Sequence, residues 1–231
     1  MTEGKRPFPF LTRKPRERRE SAFGKYSGYT QPLFSEWTRA SRYLQMPDGV
    51  KLAFDVIRPA RNGTPAEERL PGVWNYCAYD RARISEGKIV SIVDTSPSLQ
   101  TLLKHGYVVV VVDARGLGAS YGPTAFPGIH EEGRYGYEIT ESLAGQQWSD
   151  GKVGMLGHSY SALMNFMIAS TAPPHLKAIF PSMAPFDMYQ LAFPGGVCRK
   201  ALSEMMTPAM HLHPAPNCPM IGGHLIPSCD K

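Results

Sequence analysis

Ser159 is the residue whose neighbours best equip it for chemistry. It lies in Gly154-Met155-Leu156-Gly157-His158-Ser159-Tyr160-Ser161-Ala162. A short apolar run over 153–156 reaches Gly157, the serine follows two residues later, and a helix-compatible stretch covers 162–170. Strand, sharp turn and helix in that order lift a serine hydroxyl to the top of a parallel sheet, where it can attack an acyl carbon. The usual spacing is G-x-S-x-G, and here Ser161 takes the place of the last glycine. The motif alone leaves a second reading open, a plain Ser/Gly turn between a buried strand and a helix.

Other chemistry-bearing clusters are weaker. Ala114-Arg115-Gly116-Leu117-Gly118-Ala119-Ser120 is glycine-rich, but it lacks the third glycine of a dinucleotide fingerprint and a convincing ribose-binding acid downstream. Cys77, Cys198, Cys218 and Cys229 show no C-x-x-C spacing, which argues for a reduced, intracellular chain over a disulfide framework or zinc site. His211, His213 and Cys218 are metal-ligand types. Their proline-dense setting, with no framing motif, favours a disordered tail instead. No cofactor and no metal are implied.

The chain has 231 residues, 42% hydrophobic and 19% charged, enough for one globular domain with a sizeable core. Its net charge of +5 is uneven. Residues 1–20 hold seven basic and three acidic side chains, leaving +1 for the other 211. The basic excess thus belongs to an arm, expected to be solvated rather than bound to nucleic acid, since no aromatic-interleaved basic patch follows. There is no signal-peptide h-region and no apolar run that could span a bilayer, so no membrane partner is expected and a cytoplasmic location is.

The elements that must position Ser159 follow from pattern. Residues 1–35 read as an extended Pro/Arg-rich leader. Residues 43–46 and 50–56 are strand-like and flank Asp48-Gly49, a hairpin signal. Residues 60–71 read as a polar loop, 72–76 as a strand and 99–104 as a helix end near Gly106. The unbroken Val108 to Val112 run predicts a strand buried on both faces. Residues 131–148 predict a helix with Tyr137, Leu143 and Ala144 among its inward positions. It ends at Ser149-Asp150-Gly151, and strands at 153–156 and 177–180 flank the helix over 162–170. Alternation from 72 to 183 argues for an α/β fold: a mostly parallel sheet, helices on both faces, right-handed crossovers. Residues 36–197 form the domain and 198–231 an irregular tail.

Several blocks in order resemble a known family: Met46-Pro47-Asp48-Gly49-Val50-Lys51-Leu52, Ala78-Tyr79-Asp80, Gly106 through Asp113, Arg115-Gly116-x-Gly118-x-Ser120-x-Gly122, Gln146 through Met155, Ser159-Tyr160, and Pro173-Pro174-His175-Leu176-Lys177-Ala178. Together they resemble the N-terminal half of the CocE/NonD α/β-hydrolases, the group of cocaine esterase, α-amino-acid ester hydrolase and X-prolyl dipeptidyl-peptidase. The resemblance runs from about residue 40 to 197 and implies an α/β-hydrolase sheet incomplete at the C-terminus. It implies Ser159 as nucleophile, with the Tyr160 backbone N–H and the Tyr79 hydroxyl as oxyanion donors. Ser161 and Ser142 depart from the family pattern, which has glycine and commonly tryptophan there.

In this family the triad acid and histidine come later in the chain, in segments with no counterpart here. Neither is found in the matched region. Asp187 lies where some α/β-hydrolases place the acid, and His211, His213 and His224 follow it. Yet the tail shows no strand to return a histidine to the sheet, and His158, adjacent to Ser159, points away across an elbow. The resemblance implies a serine hydrolase of small-molecule esters or amides, crippled if no base is supplied. A non-catalytic chain that at most binds a ligand or partner is the rival expectation. The oligomeric state is open.

Overall fold

The computed structural model describes residues 31–79, 81–123, 129–200 and 224–226. Among them eight strands form one sheet in the order β10-β1-β2-β7-β4-β8-β9, with β3 paired to β2. These strands are β1 Glu36–Gln45, β2 Lys51–Arg61, β3 Thr64–Pro65, β4 Leu70–Cys77, β7 Val108–Asp113, β8 Ser149–His158, β9 Leu176–Ser182 and β10 His224–Ile226. The β1–β2 and β2–β7 pairs are antiparallel, while β7–β4, β4–β8 and β8–β9 are parallel. Parallel pairing requires crossovers, and the helices α2 Pro97–Lys104, α3 Ile129–Ala144 and α4 Tyr160–Ser170 supply them.

The valine run sits at the centre of this arrangement, every residue of β7 being buried. Side chains alternate across a strand. Val108, Val110 and Val112 therefore pack with Trp74, Ile139, Leu143, Met164 and Ile168 on the α3/α4 face. Val109 and Val111 pack with Ile57, Leu99 and Leu103 on the α2 face. The mostly parallel sheet with helices on both faces is as the pattern predicts.

Several boundaries differ. β1 and β2 extend well beyond the expected runs, because their full-length antiparallel register from Glu36↔Ala60 to Gln45↔Lys51 pairs backbone that the pattern left open. Residues 60–71 are not simply a loop. Asn62 and Gly63 adopt positive φ (53° and 73°) and turn β2 back into β3, the geometry of a tight hairpin turn. A second hairpin, β5 Ala82–Ser85 with β6 Lys88–Ser91, and the short helix α1 Ile92–Thr95 follow β4. Ser149-Asp150-Gly151, read as the end of a helix, instead opens β8. Leu143 and Ala144 are buried as expected, and Tyr137 is only half-buried.

The leader and tail boundaries also shift. Residues 1–30 lie outside the described residues. At the end of the expected leader, the backbone N–H groups of Leu33 and Phe34 donate to the Lys104 carbonyl (2.8 and 3.1 Å), and Phe34 is buried. Within the stretch expected to be an irregular tail, β10 pairs in parallel with β1, Arg42 opposite His224. No periodicity marks three residues, so backbone pairing to an open edge was invisible in the pattern.

Candidate active site

Three elements meet at Ser159. β8 delivers the chain, Ser159 turns it, and α4 starts at Tyr160. Ser159 has φ 56° and ψ −120°, a conformation that a side-chain-bearing residue keeps only where its surroundings enforce it. They do so from three sides. The Ser159 N–H donates to the Ser182 carbonyl on β9 (3.0 Å). A Cβ on residue 157 would lie 2.3 Å from the Ser161 carbonyl oxygen, so the turn closes only over glycine. Asn165, fully buried on α4, donates through its side-chain nitrogen to the Ser161 carbonyl (3.1 Å) and accepts the Gly157 N–H (3.3 Å).

The close backbone contact thus falls on Gly157. Ser161 bears its own side chain, buried in the first turn of α4, which is how the departure from G-x-S-x-G is accommodated.

Tyr79 follows β4 and is 53% exposed. Its hydroxyl lies 3.3 Å from Ser159 Oγ and 3.4 Å from the Tyr160 backbone nitrogen. The three residues singled out in the sequence are therefore brought together: one hydroxyl, one phenolic O–H and one backbone N–H around a single exposed point. Two donors beside a serine oxygen are the equipment for holding negative charge on an acyl oxygen.

Arg81, with no exposed surface, anchors the Tyr79 loop. Its Nε donates to Asp113 Oδ2 and its backbone N–H to Asp113 Oδ1, both at 3.2 Å, and its guanidinium also bonds Asp55. Burial pushes the Asp55 carboxyl above its ordinary value against the opposing pull of Arg81. The glycine-rich loop belongs to the same structure: the Ala119 N–H donates to Asp113 Oδ2 (3.0 Å), and Ser120 Oγ donates to the Asp113 carbonyl (2.8 Å).

Behind the elbow lies Glu132 of α3, 2% exposed. It accepts the Tyr160 hydroxyl on Oε2 and the Tyr76 hydroxyl on Oε1 (3.3 Å). Tyr76 in turn accepts the Arg115 N–H (3.2 Å). Burial raises the Glu132 carboxyl above its usual range, partly offset by these two hydrogen bonds. Burial, and then the nearby Glu132 charge, push both tyrosine hydroxyls well above theirs. Sequence reading missed Glu132, Asn165 and Arg81.

The other candidates are placed elsewhere. Asp187 is exposed and caps α5 Met188–Ala192, accepting the N–H groups of Tyr189 (2.8 Å) and Gln190 (3.3 Å). His158 is exposed, with Nδ1 3.4 Å from Ser182 Oγ. His224 lies on β10, with β1, β2, β7 and β4 between it and β8. At the usual strand spacing that is roughly 24 Å, so as placed it is no partner for Ser159. His211, His213 and Cys218 lie outside the described residues. Among the described residues no group of three His, Cys, Asp or Glu side chains could hold a metal, and no helix is long and apolar enough to cross a membrane.

Comparisons with known proteins bear on the family and the fold. The X-Pro dipeptidyl-peptidase (S15 family) profile matches residues 48–216. The cocaine esterase of Rhodococcus sp. is 34% identical over 153 residues, 65% of this chain and 25% of that protein. A Mycobacterium bovis protein provisionally named a serine esterase is 30% identical over 176 residues, 72% of this chain and 28% of its own length. A CocE/NonD family hydrolase from Staphylococcus aureus superposes with a TM-score of 0.55 at 29% identity, covering 68% of this chain and 29% of that one. An α-amino acid ester hydrolase shares the fold (TM-score 0.56, 21% identity, 76% of this chain and 30% of that one). The chain thus spans under a third of the length of each of these proteins. A serine set at a strand-to-helix elbow, in a profile match covering most of the chain, makes this protein a member of the X-Pro dipeptidyl-peptidase (S15) family of α/β-hydrolases, whose chemistry is that of serine hydrolases.

Proposed function

We propose that Ser159 is the nucleophile of an acyl-transfer site that takes small-molecule esters or amides. Its Oγ loses its proton to solvent as it adds to the carbonyl carbon, and the carbonyl π pair moves to oxygen. The Tyr79 O–H and the Tyr160 N–H donate to that oxyanion. Collapse expels the alcohol or amine, which takes up a proton, and leaves an acyl-serine. Water then adds to the acyl-serine and releases the acid. The observation that carries this reading is the convergence of the Tyr79 hydroxyl on both Ser159 Oγ and the Tyr160 nitrogen, at 3.3 and 3.4 Å.

One observation favours the rival, a chain that binds without efficient turnover. Among the described residues Tyr79 is the side chain hydrogen-bonded to Ser159 Oγ, and no histidine reaches it. Without a base the serine proton has no acceptor poised for it, and the oxyanion donors and binding alone leave on the order of a thousandfold acceleration over water. A fluorophosphonate probe with peptide mapping tests the proposal. Labelling at Ser159, absent in Ser159→Ala, is expected. A folded protein that labels at another residue, or nowhere, overturns it.

A further inference from the structure

We propose that Glu132 is a positioning residue for the oxyanion donors, holding the Tyr160 N–H and the Tyr79 loop in fixed relation. The inference rests on the acyl-transfer reading of Ser159. Glu132 is 2% exposed and carries a carboxyl group into the core. A buried carboxyl is costly unless its oxygens are satisfied. Here each oxygen has a tyrosine: Tyr160 on Oε2, Tyr76 on Oε1.

What those tyrosines are attached to gives the arrangement its meaning. Tyr160 is the first residue of α4, and its backbone N–H is one proposed donor. Tyr76 lies in β4, three residues before Tyr79, whose hydroxyl is the other. Tyr76 also receives the Arg115 N–H from the loop after β7. One carboxyl on α3 therefore ties together α4, β4 and the β7 loop, the elements on which both donors depend. The tie matters because Ser159 occupies a strained conformation (φ 56°) beside a half-buried Tyr160. If the Tyr160 ring were free to swing, the first turn of α4 would lose its anchor to α3, and its N–H would drift from the developing oxyanion. Displacements of about an ångström at such a site cost as much as a hundredfold in rate.

A glutamine at 132 tests this, since it keeps the shape but offers one acceptor oxygen where two hydroxyls donate. Fluorophosphonate labelling of the full 231-residue chain is measured for the wild type, Glu132→Gln, Tyr160→Phe and the double variant, with thermal melts alongside. The expected result is a ten- to hundredfold fall in the maximal labelling rate at unchanged half-saturating probe concentration. The double variant should be no slower than the slower single, because both act through one contact. Where the wild type labels, equal rates in all four proteins, or a change confined to half-saturation, overturn the proposal. The second readout needs no reaction: amide signals of the ¹⁵N-tyrosine-labelled chain. Glu132→Gln should shift or broaden the Tyr160 signal and leave those of Tyr43 and Tyr107 in place. An unmoved Tyr160 signal overturns the proposal even if labelling falls. If the wild type does not label but its Tyr160 signal moves as expected, the acyl-transfer reading fails and the positioning stands.

Discussion

Tyr79 carries the sharpest expectation about a single atom. Its hydroxyl touches both Ser159 Oγ and the Tyr160 nitrogen. Removing an oxyanion donor costs roughly 10²–10³ in the chemical step, since the bond is strongest when charge has developed. Tyr79→Phe is therefore expected to lower kcat, or the maximal labelling rate, by one to three orders of magnitude, with a much smaller change in KM. Steady-state kinetics on an activated ester checks this. The strand-turn-helix pattern around Ser159 was legible from the residues themselves, whereas Tyr79 was singled out by the family resemblance alone. Glu132 was singled out by neither. It stands in a charged stretch of sequence, 130–134, ahead of the helix's predicted inward positions, and its partners lie 56 and 28 residues away. Only the fold reveals that this carboxyl points inward.

One buried ion cluster links the elements beside the site. Arg81 ties the segment after β4 to Asp113 at the end of β7 and to Asp55 in β2. Ser41 on β1 donates to the same Asp55 carboxylate (2.6 Å). Such a cluster is weak evidence for net stability, but removing one partner leaves charges buried without compensation. Arg81→Met should destabilise the fold by about 3–5 kcal/mol, measured by urea unfolding. Loss below about 1 kcal/mol would show that the two aspartates relax without their arginine. At this scale the valine strand, the β1–β2 hairpin and the elbow helix were readable from pattern. The β5–β6 hairpin was missed although Glu86 and Gly87 turn at positive φ (50° and 72°), because its strands are mostly exposed and lack apolar alternation. The β2–β3 turn did carry a signal, Asn62-Gly63, hidden within a stretch that looked uniformly polar.

Across the whole molecule, the β1–β2 turn is tied to α3 through Arg115. Its guanidinium pairs with Asp48 (2.6 Å) and lies over the Tyr135 ring of α3. Burial pushes the Asp48 carboxyl up, but the Arg115 and Val50 hydrogen bonds outweigh it and hold the group below its ordinary value of 3.8. A carboxyl lowered on folding stabilises the native state above its unfolded pKa, and that contribution fades as pH falls through the folded value. The stability difference between the wild type and Asp48→Asn should thus be constant above about pH 5 and shrink below about pH 4. Denaturant titrations across that range check it. A difference that grows on acidification would reverse the sign assigned to the pair.

Trapping the adduct tests whether Ser159 accepts an acyl group between two oxyanion donors. The 231-residue chain is mixed with p-nitrophenyl acetate, quenched in acid and mapped by peptide mass spectrometry. One acetyl group is expected, on Ser159, formed more slowly in Tyr79→Phe and missing in Ser159→Ala. An acetyl group on another residue, with Ser159 unmodified in a folded protein, would contradict that expectation.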